Sequence, residues 1–271
     1  MRMSKKRFLV ALLAMATVLS VFCTQAFAAS EIDETPYVVN VYNERNGLPT
    51  GEANTVVQTR DGYIWIGSYG GLIRYDGSTF YNYSTVGILP SASVRALYED
   101  SSGRLWVGTN DAGVFYMENG ELYAVENPDS KSYRCVRGFD EGEDGVIYVA
   151  SNSGLGENRD GVLIAYSGDY ISGHTVYSVG VDSYGRVWGA LSSGLCAVVK
   201  DGQALRVFSS GEFFDDQEIY CATTSKSGRV YVGLSRASQR KTAWRSPQSC
   251  VFWKAMMAHS CWAVTAMVFM R

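Results

Sequence analysis

Asp-Gly-Tyr-Ile-Trp-Ile-Gly at residues 61–67 returns as Ser-Gly-Arg-Leu-Trp-Val-Gly at 102–108 and Asp-Gly-Val-Ile-Tyr-Val-Ala at 144–150. Tyr-Gly-Arg-Val-Trp-Gly-Ala at 184–190 and Ser-Gly-Arg-Val-Tyr-Val-Gly at 227–233 complete the series. The turn glycines Gly62, Gly103, Gly145, Gly185 and Gly228 stand 41, 42, 40 and 43 residues apart. A period near forty is that of a four-stranded propeller blade. The first unit parses that way: strands over Thr55 to Thr59, Tyr63 to Ser68, Leu72 to Tyr75 and Thr79 to Tyr83, with Asp61-Gly62 and Asp76-Gly77 as hairpin turns. In its second strand Ile64 and Ile66 point to one face and Tyr63 and Trp65 to the other. Apolar side chains on both faces suit a sheet packed between neighbours. Trp65, Trp106, Tyr148, Trp188 and Tyr231 fall at one repeat position. They read as packing between blades rather than as a ring of sugar-stacking platforms.

The expected fold is therefore an all-β propeller of four-stranded blades, with four complete blades and part of a fifth over residues 29–235. The motif is more specific than its period. Asn46-Gly47-Leu48-Pro49, Val56, the 61–67 heptad and Gly70-Gly71-Leu72-Ile73-Arg74-Tyr75-Asp76-Gly77 together resemble the two-component regulator propeller repeat. Leu89-Pro90, Ser93-Val94, Gly103 to Gly108 and Gly113-Val114 repeat it. Copy three departs at Tyr148, Ala150 and an expected insertion over Gly154 to Asp160; copy four departs at Gly189-Ala190. The resemblance implies the extracytoplasmic sensor region of a bacterial membrane signalling protein. A complete relative would bind an extracellular cue, often a carbohydrate, and signal through a membrane helix to a cytoplasmic kinase or nucleotide-cyclising domain. Relatives usually close with seven blades, and none of the cytoplasmic output motifs occurs in this sequence.

Residues 1–28 read as a secretory signal: basic Lys5, Lys6 and Arg7, an apolar run of 15 residues from Phe8 to Phe22, then Ala26 and Ala28 flanking Phe27. The run is shorter than the roughly 20 residues of a membrane span. Phe22 before Cys23 argues against lipidation. The expected location is extracytoplasmic. At the other end the fifth copy stops at Leu234, and residues 236–271 contain no Gly, Asp or Glu. That tail reads either as an aberrant terminus, such as a shifted reading frame truncating the propeller, or as a membrane helix from Val251 to Met270.

The net charge of −3 hides an uneven distribution. Of the 24 basic residues, four lie at the N-terminus and six beyond Ser235, leaving 14 against 27 acidic residues between them, about −13. A segment that acidic repels phosphate backbones, so a nucleic-acid partner is not expected. Cys135, Cys196 and Cys221 in this segment, and Cys250 and Cys261 in the tail, have no metal-ligand spacing and read as small buried hydrophobes. No cofactor or metal is expected.

Catalytic signals are weak. His174 has no paired nucleophile, and Glu52, Asp111, Glu157 and Asp160 supply carboxylates without a defined pair. A binding protein is expected rather than an enzyme, with a secreted lyase or glycoside hydrolase, or a truncated fragment without function, as the alternatives. Ligands of propellers sit on loops held by rigid blades. The loops between second and third strands nominate Tyr69, Asn110, Asp111, Asn152, Glu157 and Arg159, with Ser192 and Ser193 beside them. The expected partners are an extracellular small molecule or oligosaccharide and a second copy of the chain as a homodimer, with membrane contact only through the C-terminal region.

Overall fold

The structure is a computed structural model, described here for residues 40–84, 87, 89–129, 131–166, 171–193, 195–200, 203–209, 219–224, 230–234 and 266–270. The signal-like leader, most of the tail, and the side chains of Cys196, Cys250 and Cys261 lie outside the described residues. Tyr42–Arg271 forms one compact unit.

Every described element is a β-strand. The first sheet orders β1 (Thr55–Gln58), β2 (Ile64–Ser68), β3 (Gly71–Tyr75) and β4 (Phe80–Asn82) side by side. The second holds β5 (Val94–Glu99), β6 (Leu105–Thr109), β7 (Val114–Glu118) and β8 (Glu121–Ala124). The third holds β9 (Val136–Glu141), β10 (Ile147–Ser151), β11 (Gly154–Arg159) and β12 (Val162–Ala165). The fourth holds β13 (Val176–Val181), β14 (Val187–Leu191), β15 (Leu195–Lys200) and β16 (Gln203–Ser209). Within these sheets every strand pair is antiparallel, and the Gly62 and Gly77 turns adopt φ of 91° and 97°, which favours glycine. The expected insertion in copy three is instead the regular strand β11, because Gly154 to Arg159 pairs residue for residue with β10.

A fifth sheet joins β17 (Ile219–Thr224), β18 (Val230–Leu234) and β19 (Ala266–Met270). The tail thus fills the third place of this sheet, which the repeat pattern leaves vacant after Leu234. Val230 pairs with Met270 and Leu234 with Ala266. The last residues of the expected membrane helix are consequently a strand, and no helix among the described residues is long and apolar enough to cross a membrane.

Blades stack through the repeated aromatic. Trp65 shares a buried cluster with Leu105 and Val107 of the next sheet, Trp106 with Ile147 and Val149, Tyr148 with Val187, and Trp188 with Val230 and Val232. These four aromatics are buried, which supports the packing reading. The first sheet has no preceding blade among the described residues. There Ile64 and Ile66 are half-buried and Val56 is 66% exposed, whereas Leu105 and Val107 at the matching positions are buried. The first strands of successive sheets lie against one another, so β1, β5, β9, β13 and β17 are innermost. Carboxylates at their ends clip blade to blade: Glu99 accepts from the Arg60 N–H, Glu141 from the Ser101 N–H at 2.7 Å, and Asp140 from the Val181 N–H at 2.6 Å.

The turns between first and second strands come in two kinds. In blade 2, Asp100 Oδ1 accepts the N–H groups of Ser102 and Arg104, both at 2.9 Å. Its Oδ2 accepts Arg104 Nε at 2.7 Å and Trp106 Nε1 at 2.8 Å. Asp182 repeats this in blade 4 with Tyr184, Arg186 and Trp188. Both carboxylate side chains are fully buried. Burial alone would raise their pKa, but the hydrogen bonds from indole, backbone and guanidinium outweigh it and hold both below the usual carboxylate range. The equivalent positions are Thr59 in blade 1 and Gly142 in blade 3.

Candidate functional site

The innermost strands carry a feature that the strand pattern alone does not reveal. In the second sheet Thr109 pairs with Val94 and Gly108 with Ala96, so Arg95 is skipped. The same register shift skips Arg137 in the third sheet, Tyr177 in the fourth and Tyr220 in the fifth. Each skipped residue stands eight positions before its turn glycine, and Asn54 holds that position in blade 1. A bulge releases one residue from the ladder and re-aims its side chain. Repeated on adjoining strands, it sets these side chains in a row around the axis.

Contacts link three of the four skipped residues. The Arg137 guanidinium lies 5.4 Å from the Tyr177 ring centroid, and Tyr177 stacks on Tyr220 at 5.7 Å with 29° between the planes. Arg95 Nη1 donates to Asn110 Oδ1 at 3.2 Å, and Arg137 Nε donates to Asn152 Oδ1 at 2.5 Å. Asn110 Oδ1 also accepts from Cys135 Sγ at 3.3 Å. Two loop residues singled out from sequence thus orient two arginines that sequence reasoning missed. The signal that could have found them was the fixed offset from the turn glycine, hidden because Asn, Arg, Arg, Tyr and Tyr share no chemistry.

The other nominated residues are dispersed. Tyr69 is 49% exposed in the turn between β2 and β3. Asp111 Oδ1 accepts from Ser91 Oγ at 2.5 Å, and its carbonyl accepts from Arg134 Nε at 2.7 Å. Glu157 and Arg159 are a correction. They belong to β11, not to the loop with Asn152, because no insertion lengthens that loop. Glu157 is buried and is held by the Arg159 guanidinium and by the Tyr166 hydroxyl at 2.7 Å. Burial, followed by this hydrogen bond, pushes the Tyr166 hydroxyl pKa up. Glu157 thereby serves the blade interior. Glu52 and Asp160 are exposed, and His174 is half-buried with its N–H donating to the Ile171 carbonyl at 3.3 Å.

Neither Cys135 nor Cys221 is in a disulfide among the described residues, and both are half-buried. Among the described residues no group of three or more His, Cys, Asp or Glu could hold a metal ion. An open groove of about 700 Å³ runs beside β12, lined by Asn127, Asp129, Tyr133, Asn152 and Ile164 among others. Asn152 therefore borders this groove while orienting Arg137. The ion pairs of the described residues lie away from the row. Arg60, Arg104, Arg159 and Arg186 pair with Glu99, Asp100, Glu157 and Asp182. Among the described residues, no carboxylate pairs with Arg95, Arg134 or Arg137.

Two stretches, 47–70 and 88–111, match the two-component regulator propeller family. The chain carries two-component regulator propeller repeats. Among curated proteins none matches it in sequence. Among solved structures it resembles the extracellular domain of a hybrid two-component system from B. thetaiotaomicron, at 16% identity and a TM-score of 0.57 over 72% of this chain and 28% of that one. It also resembles virginiamycin B lyase from Staphylococcus aureus, at 17% identity and a TM-score of 0.55 over 72% of this chain and 65% of that one. An ancestral GH74 enzyme aligns at 14% identity and a TM-score of 0.56 over 69% of this chain and 30% of that one. The chain spans only part of each of these proteins. The repeats share a propeller fold that both sensor domains and enzymes use, so function has to be argued from the site.

Proposed function

We propose that this chain is the ligand-sensing propeller region of an exported two-component-type signalling protein, binding an extracellular cue. The family repeats support the class, and the signal-like leader supports export. The observation that carries the binding role is the axial row: inner strands release Arg95, Arg137, Tyr177 and Tyr220 from the ladder at one repeat position, and the last three lie against one another. A scaffold that releases polar and aromatic side chains from the backbone ladder and fixes them by side-chain contacts suits recognition. A secreted enzyme is the second reading, favoured by the lyase and GH74 likenesses in fold. Titration calorimetry of the mature chain against a panel of oligosaccharides and small metabolites, with mass spectrometry of the same mixtures, separates the two. Saturable binding without product supports the sensor. Product formation that disappears in H174A or E157Q overturns it.

A further inference from the structure

Blade 2 begins a strand on the outer edge of blade 3 and then abandons it. Past β8 the chain meets β12 at Glu126, which bridges Val162 in parallel. The Glu126 N–H donates to the Gly161 carbonyl at 2.9 Å, and the Leu163 N–H donates to the Glu126 carbonyl at 2.8 Å. To continue that ladder, the N–H of residue 128 would have to reach the Leu163 carbonyl. Residue 128 is Pro, which has no N–H, so the ladder ends after one step.

The rest of the β12 edge is left open. Backbone groups along a strand alternate in direction. The Leu163 N–H points out to Glu126, and the Tyr166 N–H points in to the Leu155 carbonyl at 2.9 Å. The Leu163 carbonyl and both backbone groups of Ala165 therefore face away from β11, and among the described residues no partner reaches them. Ala165 is exposed, and Ile164 is 44% exposed. The strand reads Val-Leu-Ile-Ala and carries none of the charges that commonly blunt such an edge. The groove of about 700 Å³ opens here, lined by Val162 to Tyr166 on the strand side and by Pro128, Asp129 and Ser132 on the side of the departing loop.

Charge says what suits the edge. Among the described residues lining the groove Asp129 alone is charged, and the Ser132 hydroxyl, followed by the Lys131 N–H, holds its carboxyl below the usual carboxylate range. Glu126 and Asp160 stand exposed at the start of the same edge, and the repeat segment as a whole carries about −13. Lys131 is exposed on the loop but does not line the groove. We infer that the open edge of β12 is a docking site for an extended, cationic peptide segment of a partner protein, which adds to blade 3 as a further strand. One residue of that segment takes the place that Pro128 leaves: its N–H donates to the Leu163 carbonyl, its carbonyl accepts from the Ala165 N–H, and its apolar side chain lies beside Ile164. A neighbouring Lys or Arg answers Asp129. The inner rim takes no part, so this site and the cue-binding reading stand or fall separately.

The test adds a capped Lys-Val-Lys-Val-Lys peptide to the full chain, followed by titration calorimetry and by amide hydrogen exchange. The peptide is expected to bind, more weakly as salt rises. Exchange of the Ala165 amide should slow, while that of the already bonded Leu163 amide stays the same. The same peptide N-methylated at every residue, and one with Glu in place of Lys, should not bind measurably. A165P removes the edge N–H where an edge strand tolerates Pro, and should weaken binding about tenfold. D129N should weaken it about two- to fivefold. Thermal melts establish that both variants fold; without a folded A165P, the exchange and N-methyl results decide. Equal binding of the N-methylated or the Glu peptide overturns the proposal, as does unchanged affinity in folded A165P or unchanged Ala165 exchange with peptide bound. Failure of the Lys-Val peptide to bind overturns it as well. A concentration-dependent dimer in analytical ultracentrifugation that A165P abolishes would assign the edge to a second copy and overturn the peptide.

Discussion

Blades 2 and 4 close their first turn on a buried aspartate, and blades 1 and 3 do not. Asp100 and Asp182 each gather two backbone N–H groups, an arginine and the indole of the inter-blade tryptophan. One side chain thereby ties turn geometry to blade packing. In blade 1 the hydroxyl of Thr59 reaches Asp61 Oδ1 at 2.6 Å and stays within the turn. In blade 3 Gly142 offers no side chain, Tyr148 replaces the indole, and the turn keeps its backbone bonds, Gly142 N–H to the Val146 carbonyl at 2.9 Å and Gly145 N–H to the Gly142 carbonyl at 2.9 Å. Backbone chemistry is therefore sufficient to form the turn. The aspartate adds the coupling between turn and tryptophan.

The strongest way to break this comparison is D100A, which strands a buried indole N–H, a guanidinium and two amides. It is expected to cost about 3 kcal/mol in urea unfolding, and D182A about the same. Because hydrogen bonds hold the Asp100 carboxyl below its ordinary value of 3.8, the stabilisation is complete above that pH and is lost as the pH falls through the lower folded value. The gap between wild type and D100A should accordingly be full at pH 7 and shrink below pH 3.8. A gap that persists in acid would mean that the carboxylate charge is not what matters. T59A tests the weaker kind of turn, with an expected loss of about 1 kcal/mol in the same unfolding assay. An effect matching D100A would erase the distinction. The smallest effect belongs to Arg60, whose side chain is 60% exposed and lies 3.6 Å from Glu99. R60A should change stability by less than about 1 kcal/mol, and less still in high salt.

The fold was legible because a propeller writes its period into the chain. The strands of the first unit fall where Asp61-Gly62 and Asp76-Gly77 place them, and the repeated aromatic packs between blades. Partnerships between distant residues were less visible. Asp100 and Asp182 stand three residues before their turn glycines in only two copies, too few to show as a repeat. Strand β19 lies more than thirty residues beyond its partner and carries no glycine to announce it. Glu157 looked like a loop residue because Gly154 and Gly156 interrupt the apolar pattern. Gly156 is instead the place where the Tyr133 ring presses in, 2.9 Å from where a Cβ would stand. Of the candidate site, Asn110 and Asn152 were found and the arginines they hold were not, because a bulge changes register without changing composition.

The bulges also divide labour within each blade. Val94, Val136, Val176 and Ile219, next to the skipped residues, are all buried and all aliphatic. The skipped residues themselves are Arg, Arg, Tyr and Tyr, with Asn at the matching position in blade 1. A residue outside the ladder is not fixed by strand pairing, so the inner rim works as a short alphabet, one letter per blade. Exchanging those letters would recast the charge and shape of the inner rim while leaving every ladder register in place.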